Sequence, residues 1–303
     1  MRAASVRAPA RAGGRTHRPR GAPPPPIDGV RIGPTAHYTA WVWYANGLSH
    51  PALATSLGAV LHAALVPMNE FYSRFTSQPN LDMMLLARHR VLDHLLARAI
   101  DDGRVGQVLE VAAGLSGRGF RFARRYPGLR YVETDLPDMA AHKRRLLDGA
   151  GLRRRGLDVL PLDALADHGP TSVAAVAASL DPTCGTAIVT EGLLGYFDRP
   201  TVSAMWHRFA SALDAFPHGL YLSDLNLAGD LGGMRTAAVF RALLSAFARG
   251  RVHLHFGSAR AAAAALRAAG FGTARLHRPE TVRGVDLPGG RRRHVVRVIE
   301  ATV

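Results

Sequence analysis

The sequence predicts an α/β fold with a mostly parallel seven-stranded sheet, a C-terminal antiparallel hairpin and a helical segment in front. Three observations carry that prediction. From Gln107 onward, short apolar runs alternate with helix-length segments. From Pro34 to about Ile100 the apolar residues recur at helical spacing instead. The last two runs, ARLHRPE and RHVVRVIEA, read as a final antiparallel pair that closes the sheet. Alternating strands and helices at this spacing favour parallel strands joined by right-handed crossovers.

Taken in order, residues 1–30 read as a disordered tail. The first 26 hold six Arg, no acid and the run Pro23–Pro26, with almost no large apolar side chain to bury. Those prolines would break a transit-peptide helix, and no apolar signal core is present. Residues 31–104 read as an N-terminal helical lid. Two proline-bounded pieces, Ala36–His50 and Ala52–Val66, precede Leu81–Ile100. That third helix has apolar residues at Leu81, Met84, Leu85, Val91, Leu92, Leu95 and Leu96. Asn80 is its expected N-cap, Asp82 lies in its first turn, and Gly103 stops it. Residues 105–303 read as the sheet domain. Its strands are Gln107–Val111, Arg130–Asp135, Leu157–Leu160, Thr186–Gly192, Gly219–Leu225, Thr273–His277 and His294–Ala301. The helices between them are Gly117–Tyr126, Pro137–Leu147, Asp163–Ala178, Pro200–Phe216 and Ala259–Ala269.

Composition narrows the function classes. The single cysteine, Cys184, allows no intrachain disulfide, which suits a reducing cytoplasm. The most apolar stretch, Ala52–Val66, is too short to span a membrane and is flanked by Pro51 and Pro67. The formal net charge is +15, of which the first 26 residues supply six. Lys143 is the only lysine, so the basic excess is an arginine skew of the kind a GC-rich genome imposes. With no zinc-finger spacing, RNA-binding aromatic motif or basic zipper, nucleic acid is disfavoured as a partner.

The chemistry is concentrated after the first strand. Glu110 ends the strand's apolar run, and the turn continues Val-Ala-Ala-Gly114-Leu-Ser-Gly117-Arg118. Gly114 permits a tight turn and close approach of a ligand to the backbone. The helix that follows presents free N–H groups. Asp135 ends the second strand, where a carboxylate can accept hydrogen bonds from two ribose hydroxyls. Together these describe a nucleoside pocket. The G-x-G-x-x-G turn of dinucleotide folds is absent, since Ala112 stands at its first glycine. An acid at Glu110 would repel a pyrophosphate and suits a cationic ligand such as S-adenosylmethionine. The residues alone leave open a nucleotide-binding oxidoreductase, or a basic binding protein with a vestigial cofactor site.

The runs VLEVAAGLSGRGFRF (108–122), YVETDLPDMAAHKRRLL (131–147) and EGLLGYF (191–197), with ARHRVLD (87–93) upstream, resemble the leucine carboxyl methyltransferase and polyketide O-methyltransferase superfamily. The segments occur in that family's order over roughly Gly33 to Val303. The resemblance implies a Rossmann-like methyltransferase fold, S-adenosylmethionine as cofactor, and a small-molecule methyl acceptor of polyketide or other secondary-metabolite type. It implies roles residue by residue. Arg88 would pair with the cofactor's methionine carboxylate, and Glu191 would face its amino group. Gly114 would lie under the cofactor, Asp135 would hold the ribose, and Leu162 with Asp163 would border the adenine. The chain departs from the family at Ala112, where glycine is usual, and at Ser116-Gly117, where Asp-Thr is usual.

Methyl transfer is an in-line displacement, so the protein chiefly positions the nucleophile and excludes water. A carboxylate acceptor needs no base, and a hydroxyl benefits from one. His37, Trp41 and Tyr44 fall on one helical face that either lines the acceptor pocket or packs as lid core. His37, Tyr44 and His89 are the candidates for a base or for substrate positioning. His253 and His255 read as ordinary side chains, and two histidines without a third ligand do not make a metal site.

Overall fold

A computed structural model gives the fold for residues 33–76, 79–230, 253–290 and 292–303. The tail expected over residues 1–30 lies outside that range. The strands are β1 (Gln107–Val111), β2 (Arg130–Asp135), β3 (Leu157–Pro161), β4 (Thr186–Thr190), β5 (Gly219–Asn226), β6 (Thr273–His277) and β7 (Val296–Thr302). They form one sheet in the order β3-β2-β1-β4-β5-β7-β6. The first five strands are parallel. The expected hairpin is present, with β7 inserted antiparallel between β5 and β6, so β6 forms the edge. Strand order reverses between β1 and β4. At such a switch point the crossovers leave in opposite directions and open a crevice at the carboxyl ends of the strands.

The helices are α1 (Pro34–Ala45), α2 (Ser56–Thr76), α3 (Leu81–Asp101), α4 (Arg118–Arg125), α5 (Pro137–Gly149), α6 (Val173–Ala177), α7 (Arg199–Leu213) and α8 (Ala259–Ala268). Asn80 caps α3 as expected, accepting from the Met83 N–H at 2.9 Å, a contact of about 1 kcal/mol. Gly103 follows with φ +71°. Several expected boundaries are corrected. The first helical piece ends at Ala45 rather than His50, and the second begins at Ser56 rather than Ala52. Helix α2 does not stop before Pro67 but continues to Thr76. Pro67 removes one backbone donor, yet contacts on both sides of it hold the helix. Leu61 and Leu65 pack against the cluster of Tyr38 and Val42, and Asn69 Nδ2 donates to Tyr38 Oη at 3.1 Å. The helix expected over Asp163–Ala178 shrinks to α6. Asp163 Oδ1 instead accepts the Leu165 N–H, Gly169 takes φ +96° before Pro170, and Ser172 caps the short helix.

Side-chain alternation along β1 sets the two cores. Leu109 and Val111 face the layer of α6, α7 and α8, with Ile188, Trp206 and Phe209. Val108 faces the layer of α3 and α4, with Val91, Leu95 and Phe122. Glu110 shares the face of Val108, because strand side chains alternate with period two.

Candidate functional site

The turn after β1 is laced to the ends of β2 and β3 through Asp135. Gly114 N–H donates to Asp135 Oδ2 at 2.8 Å, and Leu136 N–H donates to Oδ1 at 2.8 Å. Leu162 N–H donates to the Asp135 carbonyl, also at 2.8 Å. Burial pushes the Asp135 carboxyl above its ordinary range, while the Gly114 and Leu136 amides and Lys143 pull it back. Each carboxylate oxygen still has lone-pair capacity beyond its one amide. Gly114 has φ +50°, and no protein atom lies within 4 Å of where a Cβ would project. A flat nucleoside can therefore approach this backbone, and the donor set offers carboxylate and amide rather than a phosphate cradle. Leu115, next in the turn, is buried against Ala40 of α1 and Met139 of α5, so α1 lies across the turn. Asp163 sits beside Leu162, and its Oδ1 serves the Leu165 N–H at 2.9 Å.

Beneath the turn lies a buried ion network that sequence reasoning missed. Arg118, fully buried, sends Nε to Asp93 (2.6 Å), Nη1 to Glu110 (2.5 Å) and Nη2 to Glu191 (2.5 Å). Arg121 reaches Asp93 at 2.6 Å and His89 Nε2 at 2.8 Å. Tyr131 Oη donates to Glu110 Oε2 at 2.7 Å. Expected at the turn's mouth, Glu110 thus has its carboxylate bound to Arg118 and Tyr131 in the α3–α4 layer. Burial alone would raise the Glu191 and Asp93 carboxyls. For Glu191 the charges of His89, Arg118 and Arg88 overcome it and hold the carboxyl well below its ordinary range. For Asp93 those of His89, Arg121 and Arg118 bring it to about 2. A signal for Arg118 was available: a cation in the first turn opposes the helix dipole and needs acids nearby.

Arg88, on α3, reaches the ends of β4 and β5. Its Nε donates to Glu191 at 3.0 Å and its Nη1 to Asp224 at 3.1 Å. Its Nη2 lies against Gly192, where a Cβ would come within 2.9 Å. Gly192 has φ +70°, and its N–H donates to Asp224 Oδ1 at 2.6 Å. Burial raises the Asp224 carboxyl, and Arg88 opposes the rise. Sequence reasoning also missed Asp224, because nothing local in β5 marks it. A cleft opens here, lined by Arg88, Gly192, Tyr196, Asp224, Asn226 and His253, with Thr35 and Thr39 from α1. The three expected base candidates lie elsewhere. His89 is fully buried, its Nδ1 2.8 Å from Glu191 and its ring 4.8 Å from that of Trp43. His37 Nδ1 is 2.8 Å from Thr55 Oγ1, and Gly58 of α2 packs against the His37 carbonyl and Trp41. Tyr44 packs edge-on to Trp41, with centroids 5.5 Å apart.

A family model for leucine carboxyl methyltransferase matches residues 46–210, which include the turn, the Asp135 strand and the ion network. The chain belongs to the leucine carboxyl methyltransferase family. A relative from Frankia alni, provisionally named an S-adenosyl-L-methionine-dependent methyltransferase, is 38% identical over 113 residues, 37% of this chain and 38% of that protein. A relative of the same provisional name from Mycolicibacterium gilvum is 35% identical over 114 residues, 37% of this chain and 35% of its own length. The aligned part thus spans little more than a third of either relative. The fold is that of a provisionally assigned methyltransferase from Thermobifida fusca, at TM-score 0.57, 15% identity and coverage of 91% of this chain and 97% of that one. A protein of the duf574 family from Streptomyces avermitilis matches at TM-score 0.57 and 12% identity, covering 88% and 96%. Among the described residues no helix is long and apolar enough to cross a membrane, and no cluster of metal-ligating side chains occurs.

Proposed function

We propose that this protein is an S-adenosylmethionine-dependent O-methyltransferase acting on a hydroxyl or carboxylate of a small, polyketide-like molecule. The observation that carries the reading is the Asp135–Gly114 clamp, set under an open stretch of backbone at the sheet's switch point. Family membership and the names of the two relatives support it. When bound, the cofactor supplies a methyl group on a sulfonium. Asp135 accepts hydrogen bonds from the ribose hydroxyls, Gly114 admits the nucleoside, and Leu162 with Asp163 borders the adenine. Arg88 serves the methionine carboxylate. Glu191, which the ion network holds ionised, faces the amino group while orienting Arg88 and Arg118. Glu110 acts through Arg118. Helices α1 and α2, with the first turns of α3, form the lid over the site and exclude water, while the rest of α3 packs on the sheet.

The acceptor occupies the cleft over the ends of β4 and β5. Thr35, Tyr196 and Asn226 offer hydrogen bonds there, and His253 is positioned to take the proton from a hydroxyl acceptor. A carboxylate acceptor needs no such step, because its pKa lies near 4. Calorimetric titration of the full chain with S-adenosylmethionine, S-adenosylhomocysteine and NAD tests the reading. The first two should bind and NAD should not. Binding of NAD without S-adenosylhomocysteine would overturn it in favour of an oxidoreductase.

A further inference from the structure

Helix α2 has two faces of opposite character. The inner face holds Gly58, Leu61, Leu65 and Asn69 and packs on α1 and the Tyr38 cluster. The outer face exposes Leu57 (48%), Val60 (64%), Met68 (38%) and Phe71 (65%), with Ala64 and Pro67 also exposed between them. These four are most of the large apolar side chains exposed among the described residues. They fall within a stripe about 100° wide on the helix, the width of a packing face.

The stripe is symmetric about Ala64. Leu57 and Phe71 stand seven positions either side of it, and Val60 and Met68 stand four either side. A second α2 running antiparallel across a two-fold axis at Ala64 would therefore set Leu57 on Phe71, Val60 on Met68, and Ala64 on Ala64. Small residues at the axis let the helices approach, and bulkier ones fill the flanks. Charge favours the same arrangement. Glu70 would lie beside the partner's first helical turn, which carries no acid and the positive end of the dipole. Parallel pairing would instead set the two positive helix ends side by side. We infer that the outer face of α2 is a self-association surface whose occupant is α2 of a second copy of this chain, in a two-fold antiparallel pair.

The area sets the strength. From Leu57 to Phe71 the helix runs about 21 Å and is about 10 Å wide, roughly 200 Å² in projection. A standard interface buries about 800 Å² per partner. The dimer is accordingly weak and reversible.

Sedimentation velocity over a micromolar to sub-millimolar concentration series should show a monomer–dimer equilibrium. Val60→Glu should abolish it without lowering the melting temperature, since Val60 is exposed. In a Cys184→Ser background, Ala64→Cys should cross-link to itself under mild oxidation. Leu57→Cys and Phe71→Cys should each cross-link poorly alone and well when mixed. A monomer at every concentration would overturn the inference. So would a dimer insensitive to Val60→Glu, or one in which mixed Leu57→Cys and Phe71→Cys fail to link. A monomer that co-sediments with anionic phospholipid vesicles, and loses that binding in Val60→Glu, would overturn it in favour of a lipid surface.

Discussion

At Ala112 the turn after β1 takes φ +55°, and among the described residues this is the one non-glycine with positive φ. A Cβ in that region costs roughly 1–2 kcal/mol. The family's usual glycine has a physical reason, and this chain carries strain where it lacks one. Ala112→Gly should relieve the strain, offset by about 0.4–1 kcal/mol of added unfolded-chain entropy. Urea denaturation should show the variant equal to the parent or up to about 1.5 kcal/mol more stable. A clear loss would mean the methyl group packs more favourably than its backbone costs. Arg88 is the other residue that separates readings. It holds Glu191 and Asp224 in the structure, so Arg88→Ala should lower stability whatever its ligand role. If Arg88 also serves a methionine carboxylate, Arg88→Ala should weaken S-adenosylmethionine more than its decarboxylated analogue, as read by calorimetry. Equal losses would confine Arg88 to holding α3 against β4 and β5.

Helices α3 and α4, strand β1 and the segment after β4 meet at Arg118. Removing that guanidinium would leave Asp93, Glu110 and Glu191 short of their shared partner in a water-poor layer. Arg118→Met should cost about 3–5 kcal/mol, the range for breaking a buried pair. A thermal melt within a degree or two of the parent would contradict that. The pH dependence follows from the same elements. A carboxyl whose native pKa is depressed stabilises the fold above its unfolded value, near 4, and loses that contribution as pH falls through the native value. For Asp93, at about 2, the window runs from about pH 4 down to 2 and the pH-dependent part is about 2 kcal/mol. Glu133, Asp135 and Asp224 are raised by burial and act with the opposite sign. Asp93→Asn should therefore flatten the acid limb of the urea midpoint below pH 4. An unchanged limb would remove Asp93 from the acid response.

Across the whole molecule, the sheet was legible because four of its parallel strands, β2, β1, β4 and β5, are central. Strands buried on both faces read as continuous apolar runs, as QVLEV and TAIVT do. The Asp135–Gly114 pair was legible because both lie in one motif and one following strand. What escaped the sequence depends on distance along the chain. Arg118 finds Glu191 across 73 residues, and Arg88 finds Asp224 across 136. No local period marks such pairs. Pro67 misled for a related reason: a local rule ended α2, and contacts with α1 carried it on.

The claim on which the functional account turns is that the ends of β1 and β2 hold a nucleoside through Asp135. The direct measurement is the S-adenosylhomocysteine affinity of Asp135→Ala beside that of the parent, with melting curves to show that both fold. Loss of charge-assisted hydrogen bonds predicts a weakening of about 1.5–3 kcal/mol, roughly 10- to 150-fold. Equal affinity in a folded Asp135→Ala protein would contradict the account.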